Sequence, residues 1–218
     1  MNTTDLQSKN KYLEYDRTIG LSTMEGRGFY YPSDAYIAPD GTMYVVNRSL
    51  EADVRGVRVT VTNLTSEYFG TFGTYGTHDG QYIWPTSIVG DSQQRIYVSD
   101  ELNHRITISD SSGKFLAKWG NHGSSIGELD GPSGLAFDND ENLFIVDHQN
   151  HRVQKFTKDG KFLSSFGSHG TDDGQFNLPW GMTVSSSGEI YIADWGNDRI
   201  QKFSQYGEFL AKYGCSGR

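Results

Sequence analysis

Apolar residues along this chain fall in short runs broken by Gly, Asn, Asp and Ser. One stretch shows the pattern well: "GLAFD" (134–138), "NLFIVD" (142–147), "RVQKF" (152–156) and "KFLSSFG" (161–167) follow one another closely. "NDEN" separates the first two and "TKDG" the last two, and both are turn signals. The runs favour β-branched and aromatic residues, which suit a pleated surface. Long runs of Ala, Leu, Glu and Lys at helical period are absent. The pattern predicts an all-β chain of short antiparallel strands.

The whole pattern recurs. Pro85, Pro132 and Pro179 are spaced by 47, as are Arg105, Arg152 and Arg199, and Gly120, Gly167 and Gly214. Asp100, Asp147 and Asp194 keep the same interval. An earlier copy starts at Pro32 and reaches Arg58, which lies 47 residues before Arg105. It carries a six-residue insertion between Asn47 and Arg58, and has Asn47 where the others have Asp. Four strands per repeat of this length is the blade of a β-propeller.

The boundaries follow. Residues 1–11 form a tail, and 12–20 match only the outer strand of a blade. Blade 1 with its insertion spans 21–73, blade 2 spans 74–120, blade 3 spans 121–167 and blade 4 spans 168–214. Residues 215–218 read as the start of a further linker.

"PSGLAFDNDENLFIVDHQNHRVQKFTKDGKFLSSFG" closely resembles the NHL repeat. The Asn-His segments are Asn103-His104 and Asn150-His151, with Asn197-Asp198 in the last copy. The resemblance runs over roughly residues 13 to 218 and implies a propeller, usually six-bladed. On that expectation, four complete repeats and one leading outer strand are part of a longer ring, or of a chain that closes through another copy. Open blade edges favour self-association.

Composition narrows the function. A formal net charge of −8 and pI near 5.2 argue against nucleic-acid or anionic-membrane binding. No stretch approaches the length of a membrane span. The N-terminus lacks an apolar h-region, so cytoplasmic is the default; a secreted or periplasmic chain with its signal removed reads the same. The lone cysteine, Cys215, permits no internal disulfide.

Asp100, Asp147 and Asp194, with Arg58, Arg105, Arg152 and Arg199, recur blade after blade and so read as structural. The Asp is suited to fixing the turn after the second strand by accepting backbone or Arg hydrogen bonds. The residue after it varies: Arg48, Glu101, His148, Trp195. In a propeller these connections share a face with the linkers between blades, around the channel mouth. Variable residues there are the ligand-binding candidates: Tyr31, Arg48, Trp84, Glu101, His148, Trp180 and Trp195, with Asp130 also flanking a proline. The linker histidines His78, His122 and His169 lie at related but not identical offsets, and a metal ring from them is a weaker reading. The glycine-rich linkers lack the Lys-Ser/Thr of a phosphate loop, and no nucleophile motif is present, so no catalytic residue is assigned.

Two function classes lead, with an extracytoplasmic sensor or surface module, the propeller being one part of a larger protein, as a third. The first is a binding scaffold for a protein, peptide or small-molecule ligand. The second is a metal-dependent enzyme. The fold resembles that of peptidyl-α-hydroxyglycine amidating lyases, which hold zinc through histidines near the axis, and of propeller lactonases, which hold calcium. In the lyase reading His104 and His151 are the matching ligands. Nothing firmly indicates a cofactor; zinc or calcium are the metals the resemblance admits.

Overall fold

The computed structural model describes residues 16–20, 27–49 and 54–214. It contains four antiparallel sheets of four strands each, every sheet ordered as the strands occur in the chain. Blade 1 is built from Pro32–Ile37, Thr42–Asn47, Arg58–Asn63 and Tyr68–Phe72. Blade 2 has Pro85–Gly90, Ile96–Asp100, Arg105–Ser109 and Phe115–Trp119. Blade 3 has Pro132–Phe137, Leu143–Asp147, Arg152–Phe156 and Phe162–Phe166, so each strand lies on one of the four runs read from the sequence. Blade 4 has Pro179–Val184, Ile190–Asp194, Arg199–Phe203 and Phe209–Tyr213. Each first strand opens on a proline, which cannot donate to a ladder. It is tolerated because that strand is the edge of its sheet. Among the described residues no helix is long and apolar enough to cross a membrane.

Side chains alternate across each strand, so every blade has two faces. Consecutive blades bury these faces against each other. Tyr44, Val46 and Val59 of blade 1 meet Ile88, Ile96 and Val98 of blade 2. Tyr97, Ile106 and Ile108 meet Leu135, Leu143 and Ile145. Phe144, Val146 and Val153 meet Ile190, Ile192 and Phe203. The core is therefore three apolar layers between four blades, and not one central cluster.

The turns allow close approach. Gly160 sits at φ +84°, and a Cβ there would lie 2.5 Å from the Trp119 ring of the preceding blade. Gly113 stands against Phe72 and Gly207 against Phe166 in the same way.

The inner strands surround a channel. Ser33, Asp34, Thr86, Ser87, Gly134 and Trp180, from all four blades, are among the residues lining a cavity of about 150 Å³. Neighbouring inner strands do not form a common sheet, and side chains stitch them instead. Ser87 donates to Asp34 Oδ2 at 2.6 Å, and the Leu135 N–H donates to Ser87 Oγ at 3.2 Å. Ser133 donates to the Trp180 carbonyl at 2.8 Å.

The two outermost faces differ from those between blades. Where blade 3 buries Val153, blade 4 exposes Ile200 to 46%. Blade 1 exposes Ile37 to 51% on its opposite face. Of the leading strand expected at 12–20, residues 12–15 lie outside the described residues. Asp16–Gly20 run as irregular backbone, tied to blade 1 by the Gly20 N–H on Ser66 Oγ at 3.3 Å.

Candidate functional site at the channel mouth

The site is positioned by the connection between the second and third strands of each blade. In blades 3 and 4 this connection is a single 3-10 turn, His148–Asn150 and Trp195–Asn197. It ends on a left-handed residue, His151 at φ 52° and Asp198 at φ 52°. His104 takes the same conformation in blade 2 at φ 49°. The second residue of each Asn-His pair is thus the one that reverses the chain.

The recurrent Asp and Arg hold that turn. Asp147 is fully buried. It accepts the Asp130 N–H at 2.7 Å, Asn150 Nδ2 at 3.0 Å, Arg152 Nε at 2.8 Å and Gln154 Nε2 at 2.9 Å. Arg152 donates onward to the Ser125 and Glu128 carbonyls of the linker. Blade 4 repeats the set with Asp194, Asn197, Arg199 and Gln201. In blade 2, Arg105 reaches the Thr77, His78 and Gln81 carbonyls. Blade 1 adapts to its Asn. Asn47 Oδ1 still accepts the Tyr30 N–H at 2.8 Å, while its amide donates to Val45 O, Arg58 O and Thr60 Oγ1. Arg58 turns to the Gly28 carbonyl at 3.1 Å. These side chains serve the blade and its linker.

The residue after the Asp is carried to the mouth by one more backbone bond. The N–H groups of Arg48, Glu101 and His148 donate to the carbonyls of Tyr31, Trp84 and Gly131, each just before a proline. This places the variable residues beside the next blade's aromatics. Arg48 makes a 2.8 Å ion pair with Glu101, their side chains only 19% and 17% exposed. The guanidinium carbon lies 4.5 Å from the Trp84 ring centroid and 5.4 Å from that of Trp180. Both distances are within cation–π range. Burial pulls the Arg48 pKa below its ordinary value although the Glu101 contact opposes this. Arg48 Nε is buried with no hydrogen-bond partner among the described residues. His148 is 5% exposed. Its Nδ1 lies 2.9 Å from the Pro179 carbonyl, which can only accept, so Nδ1 carries a proton. Its ring meets Trp180 edge-on at 4.8 Å.

Five of the seven expected ligand-binding residues thus converge: Arg48, Trp84, Glu101, His148 and Trp180. The other two stand apart from these contacts. Tyr31 packs on Tyr30 and is 55% exposed, and Trp195 is 66% exposed. Beside Trp84 lies a cavity of about 240 Å³ lined by Ser49, Val54, Val57, Tyr75, Ile83 and Leu102.

The histidines pair in a way that the sequence reading missed. His104 and His151 are not partners of each other. His104 packs on His122, centroids 4.1 Å apart, and His151 on His169 at 4.3 Å. His122 and His169 share the 47-residue interval, so they are repeat-equivalent; His78 is not, and it acts through its backbone carbonyl. Each inner histidine accepts an N–H from the next linker: Gly131 to His104 Nδ1 at 3.2 Å, Leu178 to His151 Nδ1 at 3.0 Å. Burial and then the neighbouring imidazole pull the pKa of both His104 and His151 below the ordinary value. Both rings are therefore neutral near pH 7. Asp130 lies against the first pair only, and His104, His122 and Asp130 form the group of three metal-ligating side chains found among the described residues.

Comparison with known proteins fits this architecture. The family model "NHL repeat" matches residues 129–156 and 176–203. No curated relative matches the chain at the sequence level. Among solved structures, the chain is similar to a streptogramin B lyase at TM-score 0.65 and 13% identity, covering 91% of this chain and 58% of that one. A catalytically inactive virginiamycin B lyase from Staphylococcus aureus, solved with quinupristin, aligns at TM-score 0.61 and 11% identity over 85% of this chain and 56% of that one. Hydrazine synthase from Kuenenia stuttgartiensis aligns at TM-score 0.60 and 14% identity over 92% and 53%. At these identities the likeness is one of fold. The chain spans less than two thirds of the length of each.

Proposed function

We propose that this chain, an NHL-repeat β-propeller, is a binding scaffold that takes a protein, peptide or small-molecule ligand on its channel-mouth face. The observation that carries this reading is the set of Arg48, Trp84, Glu101 and Trp180. It draws an Arg and two Trp from separate blades into one half-buried cluster, and Trp, Tyr and Arg are the residues that anchor interfaces. The cluster has aromatic faces for apolar groups, a cation and an anion for polar ones, and a guanidinium nitrogen with no partner among the described residues. It is held by backbone bonds to the linkers, so it needs little ordering when a ligand arrives.

The test is selection of peptides from a random library on immobilised protein, with Trp84→Ala/Trp180→Ala as the counter-target. Enrichment of sequences that bind the parent and lose at least tenfold affinity on Arg48→Ala, with unchanged thermal melts, is the expected result. Selection that enriches nothing, together with a small-molecule thermal-shift panel that also gives nothing, removes the scaffold reading.

One observation favours a second reading, that of an enzyme. His148 is buried at the mouth with Nδ1 committed to the Pro179 carbonyl, which leaves Nε2 as the ring nitrogen for acid or base work. The fold's likeness to a virginiamycin B lyase solved with quinupristin makes that the first compound to try. Turnover that disappears in His148→Ala supports this reading, and its absence at high protein concentration counts against lyase activity of that kind.

A further inference from the structure

We infer that His104, His122 and Asp130 form a binding site for one divalent transition-metal ion of the zinc type, at the junction of the second and third blades. This site is separate from the Arg48–Trp84–Trp180 cluster and does not depend on that reading.

The geometry comes first. A single oxygen, Asp130 Oδ1, lies 3.4 Å from His104 Nδ1 and 3.4 Å from His122 Nε2. Ligands bound tetrahedrally at zinc distances are separated from one another by about 3.3–3.4 Å. The two contacts thus have the spacing of a ligand set, and the candidate ligand atoms all lie within 4.8 Å of one another. His104 and Asp130 are about three-quarters and two-thirds buried, whereas the His122 side chain is 63% exposed. Two ligands are therefore held by the fold, and the third is free to swing in and close the site.

The donor set selects the metal. Two imidazoles and one carboxylate suit zinc and its neighbours, while calcium and magnesium prefer oxygen throughout. Three protein ligands leave a fourth position for water or for an incoming group.

The backbone explains how the set arises. Asp130 is fixed by its N–H on Asp147 Oδ1 at 2.7 Å. Across the next junction, Asn177 is fixed in the same way by its N–H on Asp194 Oδ1 at 2.8 Å. That junction carries the same histidine pair, His151 and His169. Its Asn177 amide donates to the Gly196 carbonyl at 3.1 Å and supplies no anion. The histidine pair recurs at both of these junctions; the carboxylate beside the rings belongs to one of them. Binding at His104 Nδ1 takes the lone pair now directed at the Gly131 N–H, so the ion replaces one inter-blade hydrogen bond with a stronger link across the same seam.

The experiment uses the tag-free 218-residue chain stripped with chelator, then titrated with zinc by calorimetry and with cobalt(II) by visible absorption. One equivalent per chain is expected, with a tetrahedral cobalt spectrum. Asp130→Asn and His122→Ala are each expected to weaken binding more than tenfold while leaving the circular dichroism melt of the metal-free protein unchanged. Asn177→Asp is expected to take up a second equivalent. Wild-type protein that binds no stoichiometric zinc, or binding that survives both Asp130→Asn and His122→Ala, overturns the assignment. A variant Asn177→Asp that remains at one equivalent also counts against it, because two histidines and an aspartate in this arrangement would then not suffice.

Discussion

The most heavily committed side chain is the Asp that closes the second strand of blades 2, 3 and 4. Asp147 has no exposed surface and receives four hydrogen bonds, one of them from a guanidinium. Removing the carboxylate leaves Arg152 without its buried partner, a loss of the kind that costs about 3–5 kcal/mol. Asp147→Ala is therefore expected to lower the unfolding free energy read by urea titration by that amount, whereas Asp147→Asn should be milder, since Asn47 does part of the same work in blade 1. Equal stabilities for the Ala variant and the parent would show that the clamp carries no net energy. The same comparison explains why this residue is easy to misjudge. "VDHQNHR" looks like a dense cluster of acid and imidazole, yet Asp147 and Arg152 belong to the turn, and only His148 reaches the mouth.

At the scale of the blade junction, the inner histidines link one blade to the next linker as acceptors. The Leu178 N–H on His151 Nδ1 requires a neutral ring. His151 has a folded-state pKa below its ordinary value, so folding disfavours its proton. The sign follows: the contribution is full above the unfolded value of about 6.5, and is lost as pH falls from there through the lower folded value. Hydrogen exchange at the Leu178 amide, corrected for intrinsic rate, should accelerate between pH 7.5 and 5.5. Protection that is flat across that window would remove His151 as the acceptor that matters.

Strands and turns were legible because they rest on local chemistry. "RVQKF" forms the strand Arg152–Phe156, and "NDEN" and "TKDG" are turns. The histidine pairs were not legible, because each linker must first fold back on itself through bridges such as His122 with Leu129. Only then does a residue of the linker meet a residue of the preceding turn. The Arg48–Trp180 contact lay further out of reach, since it joins the first and last described blades across the mouth.

For the whole molecule, the decisive fact is that the outermost faces of blades 1 and 4 are built from the same positions that are buried elsewhere. Ile200 stands where Val153 is covered, and Tyr213, 52% exposed, stands where Phe166 packs on Phe203. Burying such a face is favourable by roughly 25 cal/mol per Å² of apolar area. The protein is therefore expected to self-associate as concentration rises, and Ile200→Glu combined with Ile37→Lys should shift light scattering toward the monomer. A parent that stays monomeric at high concentration would mean that these faces are already satisfied.

The repetition of one seam also has a mechanical meaning. Consecutive blades meet through apolar layers and clamps of the same design. Stability in such an array is a sum of nearest-neighbour terms. Pulled from its two ends, the molecule should therefore come apart one blade at a time. The 47-residue interval sets the stride, each rupture releasing about 155–170 Å of extended chain. Fully covered blades 2 and 3 should hold to higher force than blades 1 and 4, which have one seam each.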